Sequence, residues 1–166
     1  MKTADIFPQL KALLPTSVLE LSETKPDSFI KIEGTAIREI ATLLRDRFGF
    51  ETLSCISGTD HPTLPALSVT YHFASYQHKS IVALKAFVPR QDNVYLPSLV
   101  SLFTGADWLE RETYDMLGIV FTDHPDHRRI LMPEDWTGFP LRKDFETPDY
   151  YNGMPVPLSF EPGGNA

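Results

Sequence analysis

Two histidines separated by two residues stand in the stretch HPDHRRILMPEDW, residues 124–136, among several carboxylates. The side chains there that could together hold a metal ion are Asp123, His124, Asp126, His127 and Glu134. Metal-binding helices favour histidines four residues apart, and Pro125 disfavours a helix because proline lacks an amide donor. No H-E-x-x-H motif occurs. The spacing therefore favours a turn in which His124 stacks or hydrogen-bonds, rather than a metal site.

The run WLERETYDML, residues 108–117, contains carboxylates that could act as an acid and a base. Glu110 and Glu112 are two residues apart, so on a helix they point to different sides instead of flanking one bond. Glu112 and Asp115 share a face, and Arg111 lies one turn before Asp115. The sequence favours a charged helix face with an Arg111–Asp115 ion pair over a hydrolytic site.

Other catalytic motifs are missing from the sequence. Cys55 stands in an apolar strand pattern typical of a core residue, and one cysteine cannot hold an iron–sulfur cluster. Neither a G-x-S-x-G motif nor a phosphate-binding glycine loop occurs. The net charge of −7 argues against nucleic acid as the main partner, because a phosphate backbone requires a basic surface. We therefore expect no catalytic, cofactor-binding or metal-binding residue in this chain.

The C-terminal segment, residues 122–166, predicts a different kind of function. It holds half of the 14 prolines and no sustained helical or strand period, yet apolar residues are scattered along it. Charged and aromatic side chains alternate at Asp126, Arg128, Arg129, Glu134, Asp135, Trp136, Phe139, Arg142, Lys143 and Asp144. Arginine and aromatic residues are enriched at the centres of interfaces, and arginine makes bidentate contacts with carboxylates. The pattern is typical of an extended docking arm.

Helical spacing of apolar residues is clearest in TAIREIATLLRDRFG, residues 35–49, where Gly49 stands at the position of a left-handed C-terminal cap. Residues 4–14 predict a short helix that Pro8 delays or bends. A third helix is predicted over 96–103, with Pro97 in its first turn.

The last predicted helix covers residues 107–117. Asp107 is expected to cap it, Glu110 stands three residues later as in a capping box, and Gly118 follows its end.

Alternating apolar residues predict five strands. The runs 17–21 and 28–32 predict a hairpin around a turn that includes Pro26 and Asp27, and three more strands follow at 50–57, 67–74 and 80–87. We predict an α+β fold in which residues 1–121 form a two-layer domain with a mixed sheet of about five strands and two to four helices. The longest apolar stretch, 81–88, is interrupted by Lys85, so we expect a soluble or peripheral protein.

The run ERETYDMLGIVFTDHPDHRRILMPEDWTGFPLRKDF, residues 110–145, resembles the signature of the C-type subunit of respiratory complex I, the NADH:quinone oxidoreductase, plastid and cyanobacterial relatives included. The matching positions, which the resemblance places at a partner interface, are Glu110, Arg111, Glu112, Tyr114, Asp115, His124, Pro125, Asp126, Arg128, Arg129, Leu131, Pro133, Glu134, Asp135, Trp136, Pro140, Leu141, Arg142, Lys143 and Asp144. Three positions depart from that pattern, because His127, Phe139 and Glu146 stand where the family commonly has leucine, histidine and proline.

The resemblance implies a structural subunit of a peripheral arm, with no cofactor of its own. Its main partner would be the D-type subunit, which helps to form the quinone site. Its second partner would be the B-type subunit, which carries an iron–sulfur cluster. NAD, quinone and the clusters would belong to partner subunits, and the chain would lie on the cytoplasmic side of the cell membrane or the equivalent side of an organelle membrane.

Within that resemblance we expect Arg128 and Arg129 to pair with carboxylates, either on the D-type partner or on the 110–115 helix of this chain. Leu131 and Trp136 would be the apolar anchors. Two alternatives stay open from the sequence. One is the equivalent subunit of a related membrane-bound hydrogenase, and the other is a stand-alone metal-dependent enzyme that uses His124 and His127.

Overall fold

Five strands form one mixed sheet in the computed structural model, which describes residues 3–23 and 28–156. They are β1 (Val18–Ser22), β2 (Phe29–Ile32), β3 (Thr52–Asp60), β4 (Ala66–Ser75) and β5 (Ser80–Pro89), in the spatial order β1-β2-β5-β4-β3. The predicted antiparallel pairing of β1 with β2 is confirmed, whereas its turn at Pro26 and Asp27 lies outside the described residues. β2 and β5 run parallel, and β5, β4 and β3 are antiparallel neighbours.

Three helices accompany the sheet: α1 (Thr3–Leu13), α2 (Ile37–Asp46) and α3 (Ala106–Leu117). α1 begins at Thr3, before Pro8, so of the two expected effects of this proline the late start is wrong and the bend stays a prediction. The α+β fold class is confirmed. No helix in the described ranges is long and apolar enough to cross a membrane.

Alternation along β4 decides which face of the sheet is buried. Val69, Tyr71 and Phe73 are fully buried, while the intervening Thr70 and His72 are half-buried on the opposite face. The buried side chains join one core with apolar residues of all three helices, including Leu10, Ile40, Leu44, Ala106 and Leu117. The helices and the sheet therefore make two layers around a single core.

The left-handed conformation predicted for Gly49 after α2 is confirmed, two residues beyond the C-cap residue Arg47. Gly49 has a φ of +67°, and the backbone N–H of Phe50 donates to the Leu44 carbonyl at 2.9 Å. This hydrogen bond spans six residues, so the chain turns back over the last turn of α2 at the glycine.

The predicted helix over residues 96–103 is wrong. Residues Val94–Pro97 form a short strand, β6, which pairs in parallel with β7 (Ile119–Thr122). A single turn follows, in which Phe103 N–H donates to the Leu99 carbonyl at 2.8 Å. The spacing of the apolar residues is compatible with a helix or a strand. The strand forms because β7 provides backbone hydrogen bonds to β6.

The predicted capping of α3 is also wrong at its start. Gly105 is the N-cap residue, and no side chain caps the helix. Asp107 and Glu110 instead make contacts with other parts of the chain, because both face the packed interior next to His124. The predicted end is confirmed, since Gly118 caps the helix with a φ of +76°.

Residues 123–149, which we name the strap, are all described and contain no helix and no strand. A small hairpin of β8 (Tyr150–Tyr151) and β9 (Met154–Pro155) follows the strap. The division of the chain into 1–121 and 122–166 stays a prediction, as does the extended form of the C-terminal segment, whose residues 157–166 lie outside the described ranges.

Candidate functional site

Asp115 is the residue that fixes the first half of the strap. Its carboxylate is fully buried near the end of α3, and one oxygen, Oδ2, accepts three consecutive backbone N–H groups. The donors are Ile130 at 3.0 Å, Leu131 at 2.7 Å and Met132 at 2.9 Å. The other oxygen, Oδ1, accepts a hydrogen bond from the Arg129 guanidinium at 2.6 Å. Of the two partners expected for Arg129, the structure thus forms the one on this chain's own helix.

These donors set the protonation of Asp115. Burial alone pushes the pKa of a carboxyl group upward, but the Met132, Leu131 and Ile130 amides and the Arg129 guanidinium outweigh burial. The pKa of Asp115 therefore lies below its ordinary value, and the carboxylate is charged at neutral pH. A buried charge with this many partners is a rigid attachment point.

Phe139 lies between this attachment and the next. Its ring packs directly on Gly118, where an added Cβ would lie 2.4 Å from the ring. The guanidinium groups of Arg129 and Arg142 lie 5.3 and 4.8 Å from the ring centroid, close enough for cation–π attraction. Tyr114 contacts the same ring edge-on at a centroid distance of 6.1 Å.

The second attachment of the strap is built around Arg142 and Asp60. The Arg142 guanidinium donates to the Leu117 carbonyl at 2.7 Å and to the Asp92 carboxylate at 2.9 Å. The buried Asp60 carboxylate accepts the Lys143 backbone N–H at 2.7 Å and forms an ion pair with Arg90. The end of β3 and the loop before β6 therefore hold the strap from the sheet side.

Sequence reasoning missed Asp60, Arg90 and Asp92. Asp60 belongs to the tetrapeptide TDHP at 59–62, which recurs at 122–125 and is typical of turns. Nothing in that local pattern identifies its partner, because Lys143 is 83 residues away in the chain.

The predicted ion pair between Arg111 and Asp115 is wrong. The Arg111 side chain is buried and lies 3.6 Å from Asp107 and 3.5 Å from Asp126, and it also donates to the Arg128 carbonyl at 3.2 Å. Arg128 is largely exposed and pairs with Asp126 at 3.0 Å within the strap itself. Both arginines therefore stabilise the turn at residues 126–128.

The two histidines of the strap are used as hydrogen-bonding groups. His124 Nδ1 accepts the Asp126 backbone N–H at 3.1 Å, so Nε2 carries the proton and donates to the Asp107 carbonyl at 3.2 Å. His127 Nε2 accepts the Phe121 backbone N–H at 3.0 Å. Burial first, and then the nearby His124, lower the pKa of His127. Across residues 3–23 and 28–156, no group of three or more potential ligands is arranged to hold a metal ion.

His127 and Phe139 both contact one side chain of α3. The Tyr114 ring lies 4.3 Å from the His127 ring and 6.1 Å from the Phe139 ring, measured between centroids. These two strap residues therefore pack on the same tyrosine of α3.

Glu110 is a fully buried carboxyl group with unequal oxygens. Oε1 accepts the Leu99 backbone N–H at 2.6 Å, whereas Oε2 is buried without a hydrogen-bond partner among the described residues and lies 4.0 Å from His124 Nε2. Burial raises the pKa of Glu110 to about 7, against the lowering effect of the Leu99 amide and the Ser98 hydroxyl.

The two sequence-predicted apolar anchors are placed differently. Leu131 keeps 58% of its surface exposed although its backbone is fixed by Asp115. Trp136 is half-buried against Tyr151, with ring centroids 5.2 Å apart, and the Tyr151 hydroxyl donates to Asp135 at 2.7 Å. The remaining predicted positions with exposed surface are Glu112, Pro125, Pro133, Glu134, Leu141, Lys143 and Asp144. Leu141 resembles Leu131, being 56% exposed while its N–H is fixed by the Met116 carbonyl at 3.1 Å.

Comparison with known proteins places this arrangement in a family. Residues 30–151 match the family model described as "Respiratory-chain NADH dehydrogenase, 30 Kd subunit". The chain belongs to this NADH dehydrogenase 30 kDa subunit family. The matched range begins in β2 and ends in β8, so the family pattern includes α3 and the whole strap.

Two relatives in the 30 kDa subunit family illustrate the similarity. The chain is 43% identical over 137 residues to "NAD(P)H-quinone oxidoreductase subunit J" of Prochlorococcus marinus (strain MIT 9215), covering 76% of this chain and 77% of the relative. It is 41% identical over 149 residues to the C-type subunit of the NADH-quinone oxidoreductase of Roseiflexus sp. (strain RS-1), covering 87% and 84%. Both similarities support the resemblance to the C-type subunit of complex I.

A solved structure shares the fold of this 30 kDa subunit. It is a chain of the "membrane-bound sulfane sulfur reductase (MBS), an archaeal respiratory membrane complex", with a TM-score of 0.73 and 20% sequence identity. The match covers 86% of this chain and 85% of the other, so the sheet and helices recur at low sequence identity.

Proposed function

We propose that this chain is a structural subunit of the peripheral arm of a proton-pumping NADH (or ferredoxin):quinone oxidoreductase. Membership of the 30 kDa subunit family supports this role, as do relatives named as C-type and J-type subunits of quinone oxidoreductases. In this proposal the chain docks mainly on the D-type subunit, near the B-type subunit, on the cytoplasmic side of the membrane or its organelle equivalent. It contributes no catalytic residue, and NAD, quinone and the iron–sulfur clusters belong to its partners.

The observation that carries the proposal is the way in which the strap is held. Its backbone is fixed to α3 and to the sheet by Asp115 and Asp60, and its arginines are occupied by internal contacts. A loop that only connects elements does not need so many contacts, yet Leu131 and Leu141 stay exposed on this fixed backbone. A rigid segment that presents apolar side chains to solvent is typical of a binding surface.

The test is a purification of the tagged full-length chain from membranes of its own source in mild detergent. We expect it to bring down a large assembly that shows iron–sulfur absorbance and quinone reductase activity. Peptide mass spectrometry of the eluate should identify the D-type and B-type subunits. A chain that elutes alone, with intact fold, would overturn the proposal.

A further inference from the structure

The exposed charged side chains in and near the strap are mostly negative. Between residues 108 and 149, all of which are described, exposed carboxylates stand at Glu112, Asp123, Asp126, Glu134, Asp135, Asp144, Glu146 and Asp149. The exposed cations of the same range are Arg128 and Lys143. The other cations there, Arg111, Arg129 and Arg142, direct their guanidinium groups into the internal contacts described above. Internal pairing of the arginines therefore leaves the outer surface acidic.

Most of these carboxylates are available to a partner. Asp123 forms an ion pair with Arg38, and Asp126 forms ion pairs with Arg128 and Arg111. The other six exposed carboxylates of this range form no ion pair with any described residue. The chain as a whole has a net charge of −7, so this surface carries much of its excess negative charge.

Apolar side chains lie among these carboxylates. Trp108 and Glu112 are one helical turn apart on α3, and Trp108 is 64% exposed. The next residues on that face are Asp115 and Met116, which fix the backbones of Leu131 and Leu141. Glu112 and Leu141 also line one groove beside Gly58. We name Trp108, Glu112, Leu131 and Leu141 the α3–strap surface, and we include Glu134, an exposed carboxylate three residues after Leu131 in the strap.

We propose that the α3–strap surface binds a partner subunit whose contact face has apolar sockets rimmed by lysine and arginine. The inference rests on the proposed function and makes it more specific. In this proposal Trp108, Leu131 and Leu141 provide most of the affinity for the partner subunit. Glu112 and Glu134 set the orientation in which the partner docks. Arg111, Arg129 and Arg142 hold the chain together in this proposal, and the exposed carboxylates face the partner.

Physical reasons favour this occupant over others. A fixed backbone loses little conformational entropy on binding, so exposed leucines and a tryptophan can contribute most of their burial to affinity. Unpaired carboxylates at the rim attract a basic surface and repel an acidic one, and juxtaposing like charges costs enough to prevent docking. A second copy of this chain would present the same acidic surface and is therefore disfavoured.

The experiment compares charge-reversal variants in the purified assembly. Tagged Glu112→Lys/Glu134→Lys is expressed in place of the native chain, beside wild type and beside Glu39→Lys, an exposed carboxylate on α2. The retained chain is quantified after washes of rising salt. We expect the double variant to be retained about tenfold less than wild type, and Glu39→Lys to match wild type. Thermal unfolding of each isolated variant should be unchanged.

A second set of variants tests the apolar residues of the α3–strap surface. Leu131→Ala and Leu141→Ala should each weaken retention by about tenfold, which corresponds to the loss of about 1.4 kcal/mol of binding free energy. Leu64→Ala is the control, because Leu64 is 50% exposed in the loop between β3 and β4. As a direct test, carbodiimide coupling should join Glu112 or Glu134 to lysines of one co-purified subunit.

The outcomes separate the two proposals. If wild type assembles and the variants at the α3–strap surface are retained equally well, the surface assignment is overturned and the proposed function stands. If wild type itself does not co-purify with redox subunits, both proposals are overturned.

Discussion

The Asp115 carboxylate and the Arg129 guanidinium lie 2.6 Å apart, although the two residues are separated by 14 positions in the chain. The contact joins α3 to the strap, and three backbone amides complete the coordination of the same carboxylate. A side chain of α3 therefore serves as the attachment point for the family signature that follows it.

Asp115→Asn should destabilise the chain and release the strap. An asparagine amide repels the Arg129 donors and offers a weaker acceptor to the three N–H groups. Breaking one partner of a buried charged pair costs about 3–5 kcal/mol. Urea denaturation should show a loss of this order, and limited proteolysis should cleave near residues 128–132. Asp144→Asn, at an exposed carboxylate, is the control, and equal resistance of the two variants to protease would contradict the assigned role of Asp115.

Gly118→Ala should destabilise the chain for two physical reasons. The φ of +76° is unfavourable for any residue with a Cβ, at about 1–2 kcal/mol. The new Cβ would also lie 2.4 Å from the Phe139 ring, so the ring must move away from Arg129 and Arg142.

The control for Gly118→Ala is Gly105→Ala. Gly105 has a helical φ of −65°, and a Cβ there would meet nothing within 4 Å. Thermal unfolding should show a clearly lower midpoint for Gly118→Ala than for Gly105→Ala, where the helical φ favours alanine while the N-cap position favours glycine. In a double-mutant cycle with Phe139→Ala, the two changes should be non-additive, and additivity would show that the close contact is unimportant.

The sequence predicts well those parts of the fold whose structure depends only on neighbouring residues. The stripe of α2, the glycine caps at Gly49 and Gly118, and the alternation of β4 follow from periodicity and backbone sterics, which need no knowledge of distant residues. Residues 96–103 show the opposite case. Their apolar spacing suits a helix, but β7 supplies a parallel strand partner to Leu96 and Pro97 from more than 20 residues away, and residues 98–103 form turns and loop.

The candidate site could be located from sequence, but its contacts could not be predicted. The signature identifies Asp115, Arg129 and Arg142, and their residue types indicate charged contacts. Local spacing gives Asp115 the wrong partner, Arg111, because the i, i+4 rule ignores what the strap brings back onto α3. Asp60 is not identified at all, since a backbone donor 83 residues away leaves no trace in its neighbourhood.

His127 should titrate below its ordinary range. Burial and the neighbouring His124 lower the pKa of His127, and protonation would also turn its Nε2 from an acceptor of the Phe121 N–H into a donor. A histidine with a lowered pKa binds protons less well in the folded chain than in the unfolded chain. Its contribution to stability is therefore complete above the unfolded value of about 6.5 and is lost as the pH falls through the lower, folded value. NMR titration of the His127 imidazole checks the prediction, and a midpoint at or above about 6.5 would contradict it.

Glu110 should make the chain less stable as the pH rises from about 5 to 7. Its pKa is about 7 in the folded chain, against 4.5 for an ordinary glutamate, so the folded state binds a proton that the unfolded state has already released. The difference corresponds to about 3 kcal/mol of stability that is present below the unfolded pKa and lost by neutral pH. The groups that face the carboxyl are Leu99 N–H, Ser98, Arg38 of α2, Asp107 of α3, Tyr71 of β4 and His124 of the strap.

Glu110→Gln separates this carboxyl group from the other titrating groups. The amide oxygen can keep the hydrogen bond from Leu99, while the side chain no longer ionises, so the difference in unfolding free energy between variant and wild type isolates the proton of Glu110. Urea denaturation at several pH values should show wild type losing stability relative to Glu110→Gln between pH 5 and 7, most steeply midway between the unfolded and folded pKa values and levelling off above the folded one. Parallel stability curves for the two proteins would mean that the Glu110 pKa is the same in the folded and unfolded chains, and that burial beside His124 does not disfavour its charge.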